Sequence, residues 1–338
     1  MRCSLIIPAY NAAGTIVACL AASMRQSIPR DEYEIIVVDD GSTDNTGEAA
    51  ESFPVRVIRQ TNGGPAAARN HGALLAKGEV LVFTDSDCEP DRDFLKNLLA
   101  PFEDPGIMGA QGSYRTAQRG FVARFCQAEI EIRYARMSKR EGIDFIGSYA
   151  AAYRREAFLE CGGFDTSYTA ASGEDTDLSY EMHERGFKLV FRPDAVVFHR
   201  HPSTLKKYFR TKFYRGYWRV RLYKRHPQKV FKDSYTPQGL KLEVLSIPLI
   251  TATGAAAFGN PLLALLPAAM ALFFLVSALS FLKPLRANSI PEYVFIAPML
   301  LLRGAALFLG LLSGCCASLI RREEQRPRER PYSVREGT

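Results

Sequence analysis

Two aspartates one residue apart close the apolar run in VLVFTDSDCEP (80–90). Asp85 and Asp87 repel each other, and the stretch itself contains no residue of opposite charge. Carboxylates at alternate positions of a strand end reach one cation, directly or through water. Magnesium and manganese favour such hard oxygen donors and often complete their shells with substrate phosphates. The other reading of an Asp at a loop entry is an Asx turn or a helix cap, so D-x-D needs companions, and three are present. VVDDGSTDNT (37–46) ends a second apolar run in Asp39 and Asp40. Their carboxylates suit the N–H edge of a base and ribose hydroxyls, while Ser42 and Asp44 also read as an N-cap and a first-turn acid. In QTNGGPAAARNHG (60–72), Gly63 and Gly64 allow close backbone approach and Pro65 suits a first helical position. With Arg69 about one turn in, the segment reads as a phosphate-facing helix start or as a glycine turn that needs no ligand. SGEDTDLSYEMHERG (172–186) opens a helix with Glu174, Asp175 and Asp177. The helix dipole alone favours acids there. A base that takes a proton from a hydroxyl nevertheless needs a carboxylate projecting from a positioned loop, which Asp175 supplies.

The elements that must hold these side chains alternate. SLIIP (4–8), YEIIVVDD (33–40), VRVIRQ (55–60) and VLVFTD (80–85) read as strands. Helices are expected around 14–26 and 44–52, in PAAARNHGALLAKG and in DFLKNLLAPF. Short continuous apolar runs separated by helices predict an α/β fold with a largely parallel sheet covered on both faces. Ligands of such sheets sit beyond the carboxyl ends of the strands. Three predicted ends carry chemistry: Pro8-Ala9-Tyr10-Asn11, Asp39-Asp40-Gly41-Ser42 and Asp85-Ser86-Asp87.

Taken together, PAYN, VVDDGSTD, GGPAAARN, TDSD, GGFD (162–165) and GEDTDL follow the order and rough spacing of the family 2 glycosyltransferases with the GT-A fold, which residues 3–200 resemble. The resemblance implies an inverting transfer of a sugar from a nucleotide-diphosphate donor, with a divalent cation (Mn²⁺ or Mg²⁺) at the D-x-D. It also implies that Pro8, Ala9 and Tyr10 flank the base and nucleoside, that Asp39 and Asp40 bind them, and that Arg69 orders the pocket. Asp85, Ser86 and Asp87 would hold ribose and metal-diphosphate, with Asp87 foremost on the metal. Asp175 would be the general base with Glu174 beside it. His199, in VVFHRHP, is a further candidate metal ligand, with a structural role as the alternative for it and for His201. Chain-extending members resemble one another in a Q-x-x-R-W motif. Here YRGYWR (214–219) lacks the glutamine, which favours addition of a single sugar. Nucleotidyl transfer and an inactive scaffold are the competing functions.

The chain has 338 residues, a net charge of +7 and seven cysteines without zinc-type spacing. These read as free thiols of a reducing compartment. The first apolar run, Cys3 to Ile7, is too short for a signal peptide and meets Pro8 at once, so the first domain is expected in the cytoplasm. Four regions are expected: the transferase domain (1–200), a basic aromatic segment (201–240), a membrane region (241–320) and a basic cytoplasmic tail (321–338). Residues 200–232 contain no acid and interleave Lys and Arg with Tyr208, Phe209, Phe213, Tyr214, Tyr217 and Trp218. Placed before lipid-length apolar segments, this run predicts an anionic membrane surface as partner in preference to nucleic acid. Apolar segments follow at about 243–259, 261–282 and 293–320, against a bilayer core of about 30 Å. The favoured topology is a multi-pass anchor in the inner (plasma) membrane, made as a hairpin of the last two segments with 243–259 re-entrant or interfacial. Three crossings are the alternative. The acceptor implied is a glycolipid or a polyprenyl-linked chain.

Overall fold

The computed structural model describes residues 1–168, 173–231, 233–256, 265–285 and 290–320. The tail 321–338 and residues 169–172, in a loop (165–174) expected to close over a donor, lie outside the described residues. The chain divides into two compact units: Met1–Ala117 with Met137–Arg200, and Gln118–Arg136 with the described residues from His201 onward.

The first unit is built on one sheet of eight strands: β1 (Cys3–Ala9), β2 (Tyr33–Asp39), β3 (Arg56–Arg59), β4 (Val80–Phe83), β5 (Cys88–Pro90), β6 (Ile107–Arg115), β7 (Ala151–Arg154) and β8 (Lys188–His199). Their order is β3-β2-β1-β4-β7-β6-β8-β5. The first four run parallel, β7 is antiparallel to β4 and β6, β8 returns parallel to β6, and β5 is antiparallel to β8. All seven residues of β1 are buried, as its unbroken apolar text requires of a strand covered on both faces. The predicted helices form at Ile16–Ser23, Thr46–Glu51, Pro65–Leu75 and Phe94–Leu99.

The topology decides where ligands go. From β1 the chain winds outward to β2 and β3, then returns to place β4 on the other side of β1. Such a reversal opens a crevice at the carboxyl ends of the strands. Ala9 pairs with Asp39 across β1 and β2, and Ile6 pairs with Phe83 across β1 and β4. The first residues past β1, β2 and β4 therefore emerge at one edge.

The second unit consists of helices: Phe121–Met137, Leu205–Arg225, Gln238–Ala256, Leu265–Leu285, Ile290–Val294 and Ile296–Ile320. Phe125, Tyr208, Phe274, Phe281, Leu285, Ile296 and Leu300 form its apolar core. Inside it lies an ionic cluster. Glu129 accepts from Lys212 Nζ (2.6 Å), Arg303 (3.0 Å) and the Tyr208 hydroxyl (3.1 Å), and Arg303 also donates through Nε to Glu243 (3.0 Å). Arg303, costly if exposed to lipid, is thus buried between helices and paired. Leu265–Leu285 and Glu292–Leu319 are each long and apolar enough to cross a membrane.

Candidate active site

The D-x-D follows β4 directly. Thr84 anchors the strand end by donating to the Tyr149 carbonyl (2.9 Å), and Cys88 N donates to the Asp85 carbonyl (3.0 Å), which folds the aspartates into a tight turn. The two side chains then have different surroundings. Asp85 Oδ1 accepts from Arg69 (2.7 Å), and Asp87 Oδ2 lies 3.3 Å from His199 Nε2. Burial pushes the Asp87 carboxyl up, but the hydrogen bond and charge of His199 prevail and hold it below the usual carboxylate range.

Arg69 is 2% exposed and stands in the helix Pro65–Leu75, pinned at its start where Gly63 N and Gly64 N donate to Asp40 (2.9 Å each). Its guanidinium forks. One nitrogen meets Asp85, and the other meets Glu174 (2.9 Å), itself 2% exposed at the head of the helix Glu174–Glu184. Burial alone would lower the Arg69 pKa, yet Asp85 and Glu174 outweigh it and raise it. The next residue, Asp175, is half-buried and accepts from Ser148 N (3.3 Å) and Thr176 N (2.6 Å). Beside Ser148, Tyr149 stacks on Tyr114, with centroids 3.4 Å apart, and Tyr114 stacks on His199 at 4.7 Å. A closed circuit of contacts and chain neighbours thus runs from Asp85 through Arg69, Glu174, Asp175, Ser148, Tyr149, Tyr114 and His199 to Asp87.

The strand ends of β1 and β2 are braced to each other. Asn11 N donates to Ser42 Oγ (3.0 Å), Thr43 N to Asn11 Oδ1 (2.8 Å), and Ala12 N to Thr46 Oγ1 (2.7 Å). Pro8 and Ala9 are buried in β1, whereas Tyr10 is 52% exposed at its tip. Asp39 accepts from Ser42 N (3.0 Å). Asp40 takes three donors, Gln60 Nε2 (2.7 Å) and the two glycine amides, so its carboxylate holds the 60–64 turn together. Ser86 is half-buried between the aspartates. His201 belongs to the second unit, where Gln118 and Gln127 satisfy it.

Several contributors were not singled out from the sequence. Asn70 clamps the GGFD turn, donating to the Phe164 carbonyl (2.7 Å) and accepting from Phe164 N (2.9 Å). Its place beside Arg69 in the quoted motif was the available signal. Tyr114, Ser148 and Tyr149 had none, because their partners lie far away along the chain.

Among the described residues, the ligand atoms of Asp85, Asp87 and Cys88 lie within 4.8 Å of one another. The Cys88 thiol is buried, and burial pushes its pKa well above the ordinary value, so it stays a protonated, soft donor. The carboxylates are hard and partly exposed, which fits Mg²⁺ or Mn²⁺ and not a thiophilic metal.

A largely parallel, mixed sheet with acidic strand ends around one crevice is an α/β architecture of GT-A type. The comparisons agree. Residues 4–162 match the family described as "Glycosyl transferase family 2", so this segment of the chain is a domain of that family. It is 30% identical over 236 residues to the pre-mycofactocin glycosyltransferase of Mycobacterium tuberculosis, covering 67% of this chain and 48% of that one. It is also 29% identical over 219 residues to the glycosyltransferase AglE of Haloferax volcanii, covering 61% and 70%. The chain thus spans about half the length of the first of these relatives. Among solved structures it is similar to the mannosyltransferase PcManGT from Pyrobaculum calidifontis in complex with GDP-Man and Mn²⁺, with a TM-score of 0.60, 24% identity and coverage of 93% and 87%.

Proposed function

We propose that the protein is an inverting, metal-dependent glycosyltransferase. It moves one sugar from a nucleotide-diphosphate donor to a hydroxyl of a membrane-associated glycolipid or polyprenyl-linked acceptor. The observation that carries this reading is the closed circuit joining Asp85 and Asp87 to Asp175, two acid groups with different tasks held around one strand edge. The family relatives named above are glycosyltransferases, and the similar solved structure holds a nucleotide sugar and Mn²⁺, which supports the choice of donor and cation.

In this reading Asp39 and the exposed Tyr10 receive the nucleoside, with Pro8 and Ala9 forming the floor beneath it. Asp40 acts one step back by shaping the turn below. Asp87 and Asp85 would hold Mg²⁺ or Mn²⁺ against the diphosphate, with His199 steering Asp87 or joining it on the ion. Bound there, the cation supplies Lewis-acid neutralisation of the departing nucleoside diphosphate. Asp175 takes the proton of the acceptor hydroxyl as its oxygen bonds to the anomeric carbon. The bond from that carbon to the phosphate oxygen breaks on the opposite face, so configuration inverts. Glu174 keeps Arg69 in place and thereby fixes the helix that presents Asp175.

The second unit would bring the domain to a bilayer, with its basic helix on anionic lipid and its apolar helices in the hydrocarbon. A screen of UDP-, GDP- and dTDP-sugars with Mn²⁺ and Mg²⁺, read as donor hydrolysis, tests the reading. Release of a nucleoside diphosphate is expected, and release of pyrophosphate would establish nucleotidyl transfer instead. Asp175→Asn should lower turnover by at least about a thousandfold, within the range set by general-base catalysis, while sparing donor affinity. Asp87→Ala should weaken Mn²⁺-dependent donor binding by tenfold or more on the scale of one lost charge-assisted contact, about 1.5–3 kcal/mol.

A further inference from the structure

The two apolar helices nearest the C-terminus look like a hairpin by length and composition, but the packing of the second unit argues for a different pair. Helix Leu205–Arg225 lies along helix Ile296–Ile320 at backbone contact. A methyl group on Gly216 would overlap the Leu307 carbonyl oxygen, one on Gly310 the Phe213 carbonyl oxygen, and one on Gly314 would sit 2.5 Å from the Tyr217 carbonyl oxygen. The contact continues from Lys212, which shares Glu129 with Arg303, to Lys224, whose ammonium meets the Ser318 hydroxyl. Between Arg210 and Arg225 the basic helix has seven cations and no acid. If Ile296–Ile320 crossed a bilayer, these cations would be carried into the hydrocarbon with it, where each is costly near the centre.

Helix Leu265–Leu285 supplies a second, independent observation. In a hairpin with the last helix, its C-terminal end would emerge on the far face. That end packs instead on Phe125, whose ring stacks on Phe281 at 4.9 Å with 6° between the planes. Phe125 belongs to helix Phe121–Met137, which also carries Arg124, Glu129, Glu131, Arg133 and Arg136. The helix before it, Gln238–Ala256, starts near the same level, since Glu243 meets Arg303 and its carbonyl faces Gly304. Its outer side exposes Leu242, Leu245 and Leu249, and Leu265–Leu285 exposes Leu272, Leu275, Val276 and Leu279.

We infer that the chain enters lipid as a hairpin of helices Gln238–Ala256 and Leu265–Leu285. Helix Ile296–Ile320 does not cross; it stays with the basic helix at the surface where the chain entered. There its exposed Leu301, Leu309, Leu312 and Leu319 rest in the acyl boundary of that leaflet. Lys206, Lys207 and Arg210, exposed at the start of the basic helix, face anionic headgroups. Pro248, inside the first helix of the hairpin, is tolerated in lipid where neighbouring helices re-satisfy the backbone. This inference rests on the membrane association proposed above.

The test uses the full chain in sealed native vesicles of both orientations, with an impermeant maleimide. Lys96→Cys, exposed on the first unit, marks the compartment of that unit. Tyr293→Cys is read in a chain with Cys315 and Cys316 replaced by Ser, and those two native cysteines are read separately. Protection of both positions from reagent on the face opposite Lys96→Cys is the expected result. Labelling of Tyr293→Cys from the opposite face would establish a hairpin of the last two helices, and labelling of Cys315 or Cys316 from there would establish three crossings. Either outcome overturns the inference. A chain that leaves the membrane fraction in low salt would instead overturn the membrane reading itself. In a second arm, purified full-length chain is floated on vesicles with and without phosphatidylglycerol. Lys206→Glu, Lys207→Glu and Arg210→Glu together should lower binding to the anionic vesicles on the order of a hundredfold, and unchanged binding would refute the headgroup contact.

Discussion

At the scale of single residues, Arg69 decides most. Its fork ties the turn that carries Asp85 to the helix that presents Asp175, and it does so while 2% exposed. Removing one partner of a buried pair leaves the other charge stranded, at about 3–5 kcal/mol. Arg69→Met should therefore cost about that much stability, because the buried Glu174 loses this cation. Arg69→Lys keeps the charge, but one compact ammonium cannot reproduce two diverging hydrogen bonds. The lysine variant is expected to stay folded, with a melting temperature within several degrees of the parent, and to bind donor with Mn²⁺ at least tenfold more weakly. Calorimetric titration beside a thermal melt checks this, and a lowered melting temperature with unchanged donor affinity would make Arg69 structural only. Asp40 illustrates the opposite case. The resemblance implies a nucleoside ligand there, and three intrachain donors already meet its carboxylate, so Asp40→Asn should act mainly by loosening the 60–64 turn.

At the scale of elements, the GGFD turn shows how two distant segments are registered. Gly163 has φ +67°, and a Cβ there would lie 2.6 Å from Asn70 Oδ1, the atom that accepts from Phe164 N. The turn in turn seats Phe164 among Phe83, Tyr153 and Phe158, and under the Arg69 guanidinium at 5.7 Å. Gly163→Ala should destabilise by about 2 kcal/mol from left-handed backbone strain alone, and Asn70→Ala should cost a similar amount by breaking both hydrogen bonds. Urea unfolding of the two single variants and the double variant checks this, with a double-variant effect smaller than the sum expected because they disrupt one clamp. The parallel strands β1 to β4 and the acids at their ends were legible in the sequence because apolar runs and terminal carboxylates are local signals. The antiparallel β7, the return of β8 beside β6, and the Tyr149–Tyr114–His199 stack were not, because they depend on pairings between residues far apart in the chain. Even the Arg69–Glu174 pair, 105 residues apart, had both members marked but not their union.

At the scale of the molecule, an excess of seven positive charges coexists with a cluster in the second unit whose four ionic members balance: Lys212 and Arg303 against Glu129 and Glu243. Glu129 has the most donors. Burial pushes its carboxyl up, but Lys212, then Arg303, outweigh that and bring it down to about 2 from an ordinary 4.5. A carboxylate with a depressed folded pKa binds fewer protons in the folded state than in the unfolded one as pH falls. Its stabilising contribution is therefore complete above about pH 4.5, fades as pH falls, and is gone near pH 2. Glu129→Gln should lower stability at neutral pH by about 3–5 kcal/mol, since it takes the acid from buried Lys212 and leaves Arg303 with Glu243 alone, and should remove most of the acid sensitivity. Trp218, the single tryptophan of the chain, lies on helix Leu205–Arg225 and reports on this unit. Its fluorescence, followed through thermal unfolding of detergent-solubilised chain between pH 7 and pH 3, should show the parent midpoint falling steeply below pH 5 and the variant midpoint low but nearly flat. Parallel curves for parent and variant would mean that Glu129 is not the group whose protonation opens the helices.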